Sequence, residues 1–487
     1  METVAAVDRM AGVGMANPWR GLAVILSAAF MTILDVFIVV VAAPAIRADL
    51  GTGAADIQLV LAAYNLAFGL TLVTGGRLGD LHGRRRIFRA GLLLFTASSL
   101  AASLAAGPRV LIAARAVQGL AAGLLMPQVF SIIQVGFDDE ARGRAFGAFA
   151  FVSGVAATGA QLAGGALLAL DLFGLGWRAV FLVNVPVGLA ALVASSRWVP
   201  ESRAPAGHRQ PLDPAGVLLL TGALALLVAP LTFGAERGWP AWTWACIAGS
   251  PVALWAFFRW QRMRAQRGLA PLIAPTLFGK AGFVRGNLMA LAFYGNNAAL
   301  FLALPLLVQE GFGRSALASG LLFAPLALGF SVTAACAGHL VARHGSRLVL
   351  LGSLLLLLGY AVLAAAVALP APDDDLRRLL PGVLLAGIGM GFVQPGINYM
   401  SVQDVDGHEV GSASGLLNTS FELGYALGTI GAGIVFLQPL AAGTPHPGAL
   451  HAAFGRTLLL ASILVLVVAL LARKATGDAP TADARQN

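Results

Sequence analysis

Apolar runs of about twenty residues, separated by short polar islands, recur along the whole 487-residue chain. A helix needs roughly 20 apolar residues to cross the hydrocarbon core of a bilayer. Backbone in lipid must also satisfy its own hydrogen bonds, so each run predicts a spanning helix. The first six runs cover residues 20–46, 57–75, 87–106, 110–136, 145–170 and 177–198. A polar, proline-containing linker over 199–213 precedes a seventh and an eighth, 214–234 and 239–260. A basic segment with Arg262, Arg264, Arg267 and Lys280 follows, and then the last six, 284–307, 317–341, 348–369, 381–402, 412–436 and 455–471.

The most informative polar island is Gly75 to Arg86, GGRLGDLHGRRR, between the second and third runs. A fainter copy runs from Gly338 to Leu348, where Gly76, Leu78, His82, Gly83 and Arg85 recur as Gly338, Leu340, His344, Gly345 and Arg347. The copy lies between runs ten and eleven, a shift of eight, whereas two adjoining six-helix halves would shift it by six. The expected plan is therefore 6+2+6: an N-terminal segment 1–19, a six-helix half 20–198, a linker with two inserted helices 199–283, a second half 284–472 and a tail 473–487. With both termini inside the cell, 23 of the 32 arginines and lysines are cytoplasmic and 8 are external. That is the asymmetry the positive-inside rule requires, and it puts both copies of the loop in the cytoplasm.

Composition narrows the class. With 58% hydrophobic and 11% charged residues, the chain lies far from soluble composition and is expected to be an all-α polytopic protein of the cell membrane. The net charge of +9 sits in short loops bordering apolar runs, where membrane orientation accounts for it, so no nucleic-acid partner is expected. Cys246 and Cys336 lie inside apolar runs and are expected to be buried packing residues. The first nineteen residues lack the apolar core of a secretory signal. No metal-ligand cluster, nucleophile-base spacing or phosphate-binding loop appears, which argues against an enzyme, a sensor or a bound cofactor.

Several motifs make the chain similar to the major facilitator superfamily, and specifically to its fourteen-helix drug:proton antiporter branch. Gly76, Leu78, Asp80, Gly83, Arg84 and Arg85 stand as in the superfamily's signature loop. LDVFIVVVAAP, Leu34 to Pro44, resembles the branch's first-helix motif, with Phe37 and Val39 or Val40 where polar residues are usual. RAVQGLAAG, Arg115 to Gly123, matches the arginine-glutamine-glycine motif of helix four, and WRAVFLVNVPVG, Trp177 to Gly188, resembles the usual entry into helix six. In helix five the antiporter frame reads Ala160, Gln161, Leu162, Ala163, Gly164, Gly165, with Gln161 in place of proline, so that helix is expected to lack a built-in kink. The resemblance implies the major facilitator fold with 14 helices, the proton gradient as energy source in place of any cofactor, and a gating role for Gly76, Asp80, Gly83, Arg84 and Arg85.

Intramembrane charge carries the mechanistic expectation, because an ionised group at the bilayer centre costs roughly 2.5–3.5 kcal/mol on insertion scales. Asp35 and Glu422 each lie about 16 Å deep in their helices, and Arg115 about 8 Å from the outer end of helix four. Asn418, Glu422, Tyr425 and Thr429, spaced by four, three and four residues, form one polar stripe. Asp35 and Glu422, with Arg115, are the expected proton-coupling residues; a structural ion pair of Asp35 with Arg115 is the alternative. Tyr64, Asn65, Gln118, Gln161, Asn296, Asn297, Gln394, Asn398, Tyr399, Asn418 and Tyr425 are the expected substrate-cavity residues. A monomer exporting small amphipathic organic compounds in exchange for protons follows from the resemblance, and a proton-coupled symporter importing a small solute is the alternative.

Overall fold

The computed structural model describes residues 17–203, 213–234, 237–269, 271–369, 375–403, 405, 410–436 and 447–477, and among them there is no strand. The expected N-terminal segment falls mostly, and the tail in large part, outside the described residues. The polar islands work largely as helix caps. Asn17 accepts from Arg20 N, Asp138 from Ala141 N, Asp213 from Gly216 N and Ser315 from Ala318 N. Each satisfies a backbone donor that the first helical turn would leave orphaned.

The first compact unit ends at Ile273 and the second begins at Ala274. In the first unit the helices are α1 (Pro18–Leu50), α2 (Ala54–His82), α3 (Arg84–Ser103), α4 (Pro108–Gly136), α5 (Asp139–Leu170), α6 (Gly176–Trp198), α7 (Pro214–Phe233) and α8 (Ala241–Gln266). The second contains α9 (Ala281–Leu306), α10 (Ala316–Ala337), α11 (His344–Ala368), α12 (Leu380–Val402), α13 (Val410–Phe436) and α14 (Pro447–Gly477). Ten of these are long and apolar enough to cross a membrane, or twelve if the bent α2 and α5 each count as one span, among the described residues. Helices α3 and α13 occupy their expected places without meeting that measure.

Three sequence expectations are corrected. Without its proline, α5 is nevertheless bent, by 41° between Ala157 and Gly159. Glycines at 154 and 159 flank the bend and weaken the helix locally in proline's stead. The faint copy of the glycine loop is not a loop: backbone from Ala316 to Ala368 is helical throughout. Its two apolar stretches nonetheless reach the same level of one neighbouring helix. Both pack on α12, with Gly329 against Leu384 and Ile388 and Gly359 against Gly382 and Ala386. Third, Cys246 is only half-buried and Cys336 is exposed, both as free thiols, because the helix faces that carry them are not turned into the core.

Two helix crossings decide what meets what. A Cβ on Gly119 of α4 would come within 2.2 Å of Tyr64 O on α2, and one on Gly123 within 2.5 Å of Thr71 Cβ. Glycine therefore lets α2 and α4 touch backbone to backbone. In the second unit a Cβ on Gly428 of α13 would lie 2.3 Å from Gly295 O on α9, and one on Gly424 2.7 Å from Leu291 O. These contacts set the axial register of α4 on α2 and of α13 on α9.

Candidate functional site

In the first unit, Asp35 and Arg115 form a fully buried ion pair, with side chains 0% and 1% exposed. The pair sits in a closed network. Arg115 Nη1 also donates to Gln118 Oε1 at 2.7 Å, and Gln118 Nε2 donates to Asp35 Oδ1 at 3.0 Å and to Ser99 Oγ at 2.6 Å. Asn184 Nδ2, at the start of the last stretch of α6, donates to Asp35 Oδ1 at 2.8 Å and to Ser99 Oγ at 3.2 Å. Side chains of α4 and α6 thus converge on the α1 carboxylate, whose oxygens accept from three of them, and Ser99 of α3 joins the network by accepting from Gln118 and Asn184.

Arg115 is held independently of Asp35 as well. Its Nε donates to Val60 O at 3.2 Å, and its guanidinium lies over the Tyr64 ring, 4.3 Å from the centroid. Tyr64 is itself fixed by a 3.1 Å bond from its hydroxyl to Thr32 O. A guanidinium over a desolvated ring gains on the order of 2 kcal/mol. The cation therefore keeps partners even if its anion is neutralised.

The second unit carries a different arrangement. The α9–α13 crossing brings Tyr294 onto Phe421, stacked at 4.2 Å between centroids, with the Tyr425 ring edge-on at 5.2 Å. Tyr425 is hydrogen-bonded to Asn297, Asn296 Nδ2 donates to Asn297 Oδ1 at 3.2 Å, and Tyr360 OH of α11 donates to Asn296 Oδ1 at 2.5 Å. Glu422 lies beside these aromatic residues, and its buried Oε2 has no hydrogen-bond partner among the described residues. The two carboxyls thus differ in kind. Asp35 faces a guanidinium and two amide donors, whereas Glu422 has a buried oxygen with no partner among the described residues.

The remaining expected residues are spread more widely. Gln118 belongs to the Asp35 network and Tyr64 to the Arg115 site. Asn65 is buried, Gln161 reaches Phe37 O at 3.5 Å, and neither Asn65 Oδ1 nor Gln161 Oε1 has a partner among the described residues. Gln394 and Asn418 are half-buried, and Asn398 and Tyr399 are exposed. Asn184, Ser99 and Tyr360 were not singled out from the sequence. Asn184 stands inside the helix-six motif, the one sequence signal that could have flagged it.

The glycine-charge loop turns at Gly83, whose φ of +110° falls where side chains are strained. Asp80 pairs with Arg84 at 2.8 Å, and Glu201, beyond α6, accepts from Arg85 N at 3.1 Å and lies 3.6 Å from Arg86 Nε. The N-terminus of α3 is thus capped by a carboxylate more than a hundred residues away in sequence. Gln128 of α4 donates to Gly75 O at 2.8 Å and holds the loop from the other side. In the copy, the side chains of His339, Ala342 and Arg343 lie outside the described residues.

These features agree with the comparisons to known proteins. The family model described as Major Facilitator Superfamily matches residues 25–429 and 287–486. The chain is 38% identical over 422 residues, 86% of its length and 73% of the relative's, to a probable actinorhodin transporter of Streptomyces coelicolor. It is 34% identical to the cephamycin export protein CmcT of Amycolatopsis lactamdurans, covering 91% and 90% of the two chains. It is 35% identical to the puromycin resistance protein pur8 of Streptomyces alboniger, covering 84% and 80%. Among solved structures, a bacterial homolog of the human lysosomal transporter Spinster, inward-facing and occupied, superposes with a TM-score of 0.66 at 18% identity, over 95% of this chain and 98% of that one. That likeness extends to the fold alone. By motif, fold and relatedness together, the chain belongs to the Major Facilitator Superfamily.

Proposed function

We propose that the chain is a proton-coupled secondary transporter of the cell membrane that exports amphipathic organic compounds, antibiotic-like metabolites among them, by alternating access. A relative named for cephamycin export and one named for puromycin resistance support the substrate class and the direction. The observation that carries the coupling is the contrast between the two buried carboxyls. Asp35 is an anion balanced by Arg115, and Glu422 has a buried oxygen without a partner.

In the proposed cycle a proton arriving at Asp35 neutralises the carboxylate and frees Arg115, which stays on the Tyr64 face and the Val60 carbonyl. The network linking α1, α3, α4 and α6 then loosens, because Gln118 and Asn184 each lose a charged acceptor. Glu422 takes a proton more simply, since among the described residues no cation is paired with it. An incoming cationic or polar group can replace that proton beside Tyr294 and Tyr425. The 6+2+6 plan, cytoplasmic termini, gating by the Gly76–Arg85 loop and a monomeric state belong to the same reading.

The test is transport in proteoliposomes with an imposed pH gradient, using ethidium and puromycin as probes. Asp35→Asn should abolish gradient-driven accumulation, and Glu422→Gln should lower it at least tenfold. Undiminished accumulation by both variants would remove these carboxyls from the coupling mechanism.

A further inference from the structure

The inserted pair α7–α8 contains a buried carboxylate that the transport cycle does not use. Asp213 caps α7 and is 1% exposed. Its Oδ1 accepts from Gly216 N at 3.0 Å and Trp260 Nε1 at 2.9 Å, and its Oδ2 accepts from Gln261 Nε2 at 2.8 Å, with Arg264 Nε at 3.6 Å. Burial opposes the charge, but these donors and Arg264 outweigh it and hold the carboxyl below its ordinary range.

Gln261 makes the arrangement directional. Its Oε1 accepts from two backbone amides, Leu272 N at 2.5 Å and Ile273 N at 3.4 Å. Only the amide oxygen can accept, so Nε2 must face Asp213, which must in turn be an acceptor. The next carbonyl upstream, Pro271 O, accepts from Arg77 Nη2. Arg77 lies on α2 inside the glycine-charge loop. The short strap leaving α8 is thus gripped by α8 through Gln261 and by α2 through Arg77, just before the chain enters the second unit at Ala274.

From this geometry we infer that the inserted pair is a bracket: Asp213 and Gln261 position the strap at 271–273, and Arg77 ties that strap to the end of α2. Movement of the loop end of α2 is then passed directly to the chain that leads into the second unit. Arg77, Gln261 and Asp213 are positioning residues, and the inference does not depend on the substrate or on proton coupling.

Hydrogen exchange on the full-length protein in lipid nanodiscs tests it without any substrate. Leu272 and Ile273 amides should be protected in the parent. Gln261→Leu should accelerate their exchange at least tenfold, and Asp213→Asn should do so too, because the new amide turns a donor toward Gln261 Nε2. The decisive variant is Arg77→Gln, which touches neither amide yet should raise exchange at both at least fivefold, with Arg77→Lys restoring at least half of the protection. Peptides from α1 and α12 exchanging as in the parent would show that each variant is folded. Should Gln261→Leu act while Arg77→Gln leaves Leu272 and Ile273 as protected as in the parent, the strap is tied to α8 alone and the bracket is refuted. Unprotected amides in the parent would refute it as well.

Discussion

Asp35→Asn is the most discriminating perturbation. The carboxylate receives Arg115 on Oδ2 and both Gln118 and Asn184 on Oδ1, at 3.0 and 2.8 Å, and every partner presents a donor. Asparagine has one oxygen and one NH2, so in either orientation a donor faces a donor and the guanidinium loses its anion. Breaking one side of a buried pair costs about 3–5 kcal/mol. Because Arg115 keeps Val60 O, Gln118 Oε1 and the Tyr64 face, the low end, about 3 kcal/mol, is expected, roughly a 150-fold shift in the folded-to-unfolded ratio. The assay is reversible unfolding in mixed micelles, run beside gradient-driven efflux. Arg115→Gln in the Asp35→Asn background should return about 2 kcal/mol, since no buried charge is then unpaired. Efflux should stay absent in the double variant. A destabilisation below about 1 kcal/mol would refute the network as a compensated ion pair. Efflux restored along with stability would refute Asp35 as a proton carrier and leave it as a structural anion.

Glu422→Gln copies the protonated acid, so substrate counterflow at equal pH should persist while uphill efflux falls at least tenfold; uphill efflux at the parental rate would reduce Glu422 to packing. Gly119→Val drives a side chain into the Tyr64 carbonyl and should lower stability by about 1–3 kcal/mol, read as an earlier thermal unfolding transition. The Asp213 carboxyl is held below the ordinary value of 3.8, so it stabilises the folded state above that pH and stops doing so as pH falls through its lowered value. Unfolding free energy of the parent relative to Asp213→Asn should therefore be constant from pH 8 to about pH 5 and converge only in stronger acid. Glu201→Gln removes the negative charge at the N-terminus of α3 and should cost about 0.3–1 kcal/mol, more at low salt, by the same unfolding assay.

Runs of twenty apolar residues announce helices because lipid leaves the backbone no other partner, and this alone decided the all-α class and the placement of the helices in the chain. Asp35, Arg115 and Glu422 stand out as candidates for the same reason, since an ion in an apolar run is costly. What surrounds those charges was not legible. Helices that are apolar nearly all round carry no stripe to say which side faces a neighbour, so Ser99 and Tyr360 looked like any other polar residue in a span, and only its motif set Asn184 apart. Glu201 and Asp213 read as linker charges, yet one caps α3 and the other binds Trp260 and Gln261 of α8 from the start of α7. Local composition determines that a segment is a helix and how deep a charge sits in it. Which groups meet is decided by the rotation and axial register of each crossing, set by backbone contacts such as Gly119 on Tyr64 and Gly428 on Gly295, and those contacts exist only once the chain has folded.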